Sequence, residues 1–244
     1  MMAVCVAAHL CLLPQYDRGD RLTTLTKSME KAFSDADRQA IYRAIHKRRD
    51  MRHFLAEPVA PEVMGRLIDA ALHAPSVGFM QPWRILRIIC VQLRGKLHDA
   101  VERERLLTAD ALGERRESFM RLKVEGLREC AEVLVMALME GREEYVFGRR
   151  TLPEMDLASV ACAIQNMWLA ARAEGLGMGW VSLFDPLEVA AILGMPIGAK
   201  PVAILCVGHV ETFYDAPMLE KERWAKRRPV DECVFENTWP ATDG

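Results

Sequence analysis

Over residues 156–174 the apolar side chains Leu157, Val160, Ala161, Ile164, Met167, Trp168 and Ala171 recur at helical spacing, and Gly175 follows as a ready C-terminal cap. Few polar residues interrupt them. The pattern predicts a central helix buried on both sides and suited to an interface between two copies of the chain. The glycine-rich run Gly175-Leu-Gly-Met-Gly-Trp-Val-Ser182 comes directly after it, and its end reads as a strand. In the dinucleotide fingerprint a strand leads into the glycines and a helix N-terminus meets the pyrophosphate. Here the order is reversed, which excludes a Rossmann site. The glycines instead permit close approach to the backbone, with Ser182 and Asp185 near the strand's end.

The remaining pattern mixes helices and strands. Ser34 and Asp35 suit a helix N-cap ahead of Ile41, Ala44 and Ile45 on one face. A second helix opens at Pro61, buries Val63, Met64, Leu67, Ile68 and Leu72, and ends before Pro75. Strands are expected over 85–91, 132–139, 180–184 and 202–210, with a short helix starting at Pro186. The stretch 93–128 is dense in charge and reads as a solvated helical excursion or a lid over a site. Without strict alternation of strand and helix, the fold class is α+β, a mixed sheet flanked by helices. No repeat or linker divides the chain, so residues 34–244 are expected to form one domain behind a loose leader over 1–33.

Composition narrows the function. Hydrophobic residues are 51% of 244, enough to build a core and to exclude disorder throughout. A formal charge of −2 gives no global attraction for nucleic acid or an anionic membrane, and no apolar run approaches the roughly 20 residues that span a bilayer. The seven cysteines are scattered without a CxxC pair, which fits buried thiols in a reducing compartment rather than a disulfide framework. His209 has no partners at metal-ligand spacing and reads as a strand histidine, so no metal is expected. Residues 1–13 lack the basic start and cleavage site of a secretory signal, which makes the expected location cytoplasmic.

Three stretches could carry chemistry. In His46-Lys-Arg-Arg-Asp-Met-Arg52, Lys47, Arg48, Arg49 and Arg52 crowd the end of a helix. Cations there can simply complement the helix dipole, or their planar forks can grip a phosphate. Asp50 would weaken an anion site unless it has a task of its own. In His73-Ala-Pro-Ser-Val-Gly-Phe-Met-Gln-Pro-Trp83, Ser76 and Gln81 offer uncharged hydrogen-bonding groups for the edge of a heteroaromatic ring, or the segment is an ordinary loop anchored by Trp83. The third is the run through Gly177, Met178, Gly179 and Ser182. Arg227, in the basic run 226–228, could add a cation to the first.

Together and in this order, Arg48-Arg-Asp-Met-Arg52, the Ala-Pro-Ser to Gln-Pro-Trp loop ending at Trp83, and Gly177-Met-Gly-Trp-Val-Ser-Leu-Phe-Asp-Pro186 resemble the FMN-binding nitroreductase superfamily. The likeness covers roughly residues 36–235. Asp50, where nitroreductases usually carry serine, and the Trp-Val-Ser-x-Phe-Asp-Pro run point within that superfamily to the aerobic 5,6-dimethylbenzimidazole synthases, which make the lower ligand of vitamin B12. The resemblance implies a homodimer with FMN at the subunit interface, and it implies that the flavin is the substrate. Reduced FMN and O2 would yield 5,6-dimethylbenzimidazole, with C2 drawn from the ribityl C1′, and erythrose 4-phosphate. A separate NAD(P)H-dependent flavin reductase would supply the reduced flavin.

On that reading Arg48, Arg49 and Arg52, with Arg227 as a fourth cation, hold the phosphate and ribityl end, Ser76, Gln81 and the backbone of Gly177, Met178 and Gly179 border the ring, and Met51 and Pro82 complete the cofactor-binding set. Asp50 and Ser182 carry the catalysis, Asp50 as the proton-transfer group near the ribityl C1′. Neighbouring arginines are expected to lower the Asp50 pKa and keep it ionised. Two other readings use the same residues: a nitro- or quinone reductase that cycles its flavin, and a module that binds FMN for storage or sensing.

Overall fold

The computed structural model describes residues 32–240, so the leader expected over 1–33 lies almost wholly outside the described residues, as do Cys5 and Cys11. The chain divides into two compact units, one ending at Arg43 and one beginning at Ala44. Helix α1 (Asp35–Lys47) runs through this boundary and opens on Ser34, whose hydroxyl oxygen accepts from the Asp37 N–H at 3.2 Å. No residue of α1 is buried, and Ile41 and Ile45 remain exposed, so the expected apolar face is present but uncovered.

The second unit is built on a four-stranded sheet of β1 (Trp83–Arg87), β2 (Glu132–Leu138), β3 (Gly177–Val181) and β4 (Lys200–Gly208), in the order β1-β2-β4-β3. All three pairings are antiparallel. The parallel component is a single bridge between Asp50 and Met178, where the chain leaving α1 runs beside β3. The first strand ends earlier than expected. Ile88 still pairs through its N–H with the Val133 carbonyl, but Val91 opens a helix.

Alternation along β2 and β4 sends side chains to two cores. On one face, Leu134, Met136, Leu205 and Val207 pack against α2 (Pro61–Leu72) and α5 (Met155–Ala173). On the other, Val133, Val135, Ile204 and Cys206 meet α3 (Val91–Ala111) and α6 (Pro186–Ile192). Helix α2 buries Met64, Leu67 and Ala71, whereas Leu72, expected inside, is exposed at its C-terminal end. Helix α5 matches the expected span, but Leu157, Cys162 and Gln165 are exposed, so it is covered on one side only. Gly175 ends it in the left-handed region (φ 77°), which lets Leu176 N–H reach the Ala171 carbonyl at 2.8 Å.

Two expectations change. The stretch 93–128 is not a solvated excursion throughout, because α3 buries Leu97, Ala100, Val101 and Ala109. Only its later part, with the short helix α4 (Arg116–Met120), stands over the site described below. Cys130 and Cys206 are buried as expected, but Cys90, Cys162 and Cys233 are exposed. No helix among the described residues is long and apolar enough to cross a membrane.

Candidate active site

The turn after α1 is held against the β3 edge by its own backbone and side chains. Met51 N–H donates to the Met178 carbonyl at 3.0 Å. The Asp50 carboxylate then accepts from the Trp180 N–H at Oδ1, 3.0 Å away, and from Arg52 Nη2 at Oδ2, 2.7 Å away. The same Arg52 nitrogen donates to the Trp180 carbonyl at 2.8 Å, so carboxylate, guanidinium and strand form one closed network. This crossing explains the two glycines. A Cβ at Gly179 would lie 2.3 Å from the Met51 carbonyl oxygen, and one at Gly177 would lie 2.4 Å from Val210 Cγ1. The close approach predicted for the glycine run is therefore made by the chain itself.

Asp50 stands on the wall shared by two cavities. The larger, about 580 Å³, is lined by Arg48, Arg49, Arg227, His46 and Gln165, with Pro217, Met218 and Leu219 opposite. The smaller, about 220 Å³, is a mainly apolar chamber of Trp180, Phe119, Leu122, Trp224 and Leu219, with Ser182 and Arg52 in its wall. Ser182 follows the end of β3 and is exposed.

Burial raises the Asp50 carboxyl above its ordinary pKa, although Arg52, the Trp180 N–H and Arg48 pull the other way. The expectation that the arginines would lower it is thus corrected. The carboxylate sits in a depression where protein displaces much of its hydration, even though 43% of its side chain remains accessible. Burial also lowers Arg48. Asp50 opposes that shift, while the like charges of Arg49 and Arg227 add to it, which places all three cations around one space suited to an anion.

The cations are not equivalent. Arg48 lies 4.4 Å over the Trp168 ring and lines the larger cavity. Arg49 is a clamp: Nη1 donates to the His46 and Arg48 carbonyls, at 2.8 and 2.7 Å, and Nη2 to that of Asp215 at 2.9 Å. Arg52, expected at the phosphate, lines the chamber instead and holds Asp50. The buried Nε atoms of Arg49 and Arg52 have no partner among the described residues. Met51 and Met178 are fully buried and line neither cavity, so the expectation that they border the cofactor is not met by side chain or backbone.

Ser76, Gln81 and Pro82 do not join this cluster. They lead into β1, at the opposite edge of the sheet from β3, roughly three strand spacings or about 14 Å away. The loop is held in an unusual shape. Gly78, Phe79 and Gln81 all have positive φ, Ser76 Oγ accepts from the Gln81 N–H at 3.0 Å, and Ser159 Oγ accepts from the Val77 N–H at 3.0 Å. Pro82 is buried and gives its carbonyl to the Met139 N–H. Gln81 and Phe79 are exposed, and the exposed Phe147 lies against Gly78 of the same loop.

Sequence reading missed the strap that closes the site. Tyr214 Oη accepts from the Arg52 N–H at 3.3 Å, and Asp215 holds Arg49 as above. Beyond them Met218, Leu219 and Trp224 form walls of the cavities. Their signal was three large apolar residues in an otherwise charged tail.

The site can therefore hold an anion beside an oriented carboxylate, with an apolar and aromatic chamber next to it. The cation set, the aromatic walls and the unpartnered buried Nε–H groups fit a flavin phosphate and ring. Comparison with known proteins gives the same family. Residues 45–209 match the Nitroreductase family. The 5,6-dimethylbenzimidazole synthase of Rhodospirillum rubrum is 42% identical over 75% of this chain and 87% of its own length. That of Rhodobacter capsulatus is 34% identical over 82% of this chain and 97% of its own. An iodotyrosine deiodinase structure bound to FMN superposes with a TM-score of 0.64, at 24% identity, over 82% of this chain and all of that one, which shows the fold. The chain belongs to the nitroreductase family and, within it, to the 5,6-dimethylbenzimidazole synthases.

Proposed function

We propose that this chain converts reduced FMN and O2 into 5,6-dimethylbenzimidazole and erythrose 4-phosphate, working as a homodimer with each flavin between two copies. The observation that carries the reading is Asp50 on the wall between the cationic cavity and the apolar chamber. That is where a flavin with its phosphate among Arg48, Arg49 and Arg227 and its ring beside Trp180 would present its ribityl carbons. Bound reduced FMN supplies the carbon skeleton and the electrons that O2 accepts. Arg48 and Arg227 hold the phosphate, and Arg49 fixes the turn that carries Arg48. Arg52 and the Trp180 N–H fix both oxygens of Asp50, and its raised pKa suits a group that takes a proton from carbon and gives it back. Ser182 offers a hydroxyl that can donate and accept at the chamber wall. Phe119, Leu122 and Val124, from the later part of the charged stretch, act as the lid and keep water from the ring.

The homodimer rests on the 76–82 loop. One chain separates Gln81 from Asp50 by the width of the sheet, yet presents Gln81 and Phe79 outward on a strained, braced turn. Phe79, Phe147, Met155 and Leu157 are exposed and would be covered by a second copy, whose loop would reach the other chain's cavity. Because the flavin is consumed rather than cycled, a separate NAD(P)H-dependent flavin reductase delivers it. The exposed thiols of Cys90, Cys162 and Cys233 fit a cytoplasmic setting.

The test supplies the purified protein with FMN, a flavin reductase and NADH in air, followed by mass spectrometry. A 5,6-dimethylbenzimidazole peak that needs both protein and O2, with matching loss of FMN, is expected. Intact FMN with rapid reduction of an added nitroaromatic would establish the reductase instead.

A further inference from the structure

Behind the Tyr214 strap lies a third cavity, of about 340 Å³, that the flavin reading does not use. It is lined by Arg121, Lys123 and Lys221, by His53 and Tyr214, and by Leu122 and Met218, with Glu222 as its one carboxylate. Three permanent cations thus face a single acid. We infer that this cavity is a second anion site, taking a small phosphate monoester such as the four-carbon sugar phosphate left when the flavin is fragmented. The identity of that ester rests on the function proposed above.

Size and charge select the ligand class. Sites for small molecules run from roughly 300 to 1,000 Å³, and this one lies at the lower end, the range of a short sugar phosphate. The cations can turn to an anion readily. Lys123 pairs with Glu129 at 2.6 Å and Lys221 with Asp215 at 2.7 Å, and both carboxylates are substantially exposed, so these ion pairs contribute little and can be exchanged. Arg121 gives one nitrogen to Ser118 Oγ at 3.2 Å and keeps the rest of its fork.

A hydrogen-bond chain runs along the back of the cavity: the Arg52 N–H donates to Tyr214 Oη at 3.3 Å, and Tyr214 Oη lies 2.6 Å from His53 Nδ1. The chain also ties this cavity to the flavin site, since Arg52 is the residue that holds Asp50. Met218 is a wall of all three cavities and Leu122 of this one and the chamber, so the distance from the reacting end to the second site is a single layer of side chains.

The experiment titrates FMN-loaded protein, its main cationic cavity filled, with erythrose 4-phosphate and separately with inorganic phosphate, by calorimetry at low and high salt. The expected result is salt-sensitive binding of the sugar phosphate that falls at least about ten-fold in Arg121→Ala/Lys221→Ala, the effect of losing one charge-assisted hydrogen bond, with FMN affinity unchanged. Inorganic phosphate is expected to bind more weakly. Binding of both anions with equal affinity would overturn the sugar-phosphate assignment. No binding to the loaded wild type, or equal binding by the variant, would overturn the site. A protein that fails to bind FMN contradicts the proposed function instead; the second cavity is then titrated in Arg48→Ala/Arg227→Ala, where loss of sugar-phosphate binding on adding Arg121→Ala/Lys221→Ala supports the site and unchanged binding overturns it.

Discussion

Arg52 Nη2 lies 2.7 Å from Asp50 Oδ2 and 2.8 Å from the Trp180 carbonyl, so a residue expected to grip phosphate is the one that orients the carboxylate. Arg52 is almost completely buried, with 9% of its side chain accessible, whereas Asp50 faces two cavities. The pair is rigid on the arginine side and open on the aspartate side. That asymmetry is what a proton-transfer group needs: a fixed direction with room for a substrate.

The raised pKa of Asp50 has consequences for pH. Between the ordinary carboxyl value and the higher native one, the folded protein holds a proton that the unfolded chain has lost. Stability from this group is therefore full below the ordinary value and declines as pH rises through the native value. Asp50→Asn removes the titration. Thermal melts across the mildly acidic range should show the wild type losing stability relative to Asp50→Asn as pH rises. A difference that grows in the opposite direction would mean that the arginines outweigh burial.

Gly179 is expected to tolerate no side chain. Its Cβ would meet the Met51 carbonyl at 2.3 Å and Arg52 Nη1 at 2.5 Å, and the carbonyl belongs to the backbone of the catalytic turn. Gly179→Ala should cost about 1–3 kcal/mol, several degrees in melting temperature for a domain of this size. Product formation should fall further than stability explains, measured at a temperature where the variant is folded, because the turn carrying Asp50 must move.

Much of this arrangement was legible in the sequence. The helix over 155–173 and its glycine cap follow from spacing and from the left-handed preference of Gly175, whereas the strand expected over 180–184 lies earlier, at Gly177–Val181, because its glycines pair with β4. The basic turn and Asp50 stood out as four cations and a carboxylate within six residues, open to reading as a helix end or as an anion grip. Helix α3 was obscured because Leu97, Ala100 and Val101 form a narrow stripe among many charges, and a count of charge hides a stripe. The strap was hidden for another reason: nothing local in residues 211–228 records that the chain folds back across Arg49 and Arg52. The pKa of Asp50 came out with the wrong sign because a sequence shows its charged neighbours but not the burial that outweighs them.

The proposed dimer gives the exposed apolar surface a purpose. Phe79 is 82% and Phe147 84% exposed, and both flank the braced loop that carries Gln81. Phe79→Asp/Phe147→Asp should run as a monomer in light scattering, with a wild-type circular dichroism spectrum and FMN affinity lowered by about ten-fold or more. A variant that stays dimeric with unchanged affinity would place the interface elsewhere.

The most direct measurement compares wild type with Asp50→Asn, each given reduced FMN and air, with bound flavin followed by absorbance and 5,6-dimethylbenzimidazole by mass spectrometry. Loss of a general acid–base group predicts FMN binding within about two-fold of wild type and product reduced by about 10²-fold or more. Product at the wild-type rate from Asp50→Asn would contradict the role assigned to this carboxylate and, with it, the mechanism.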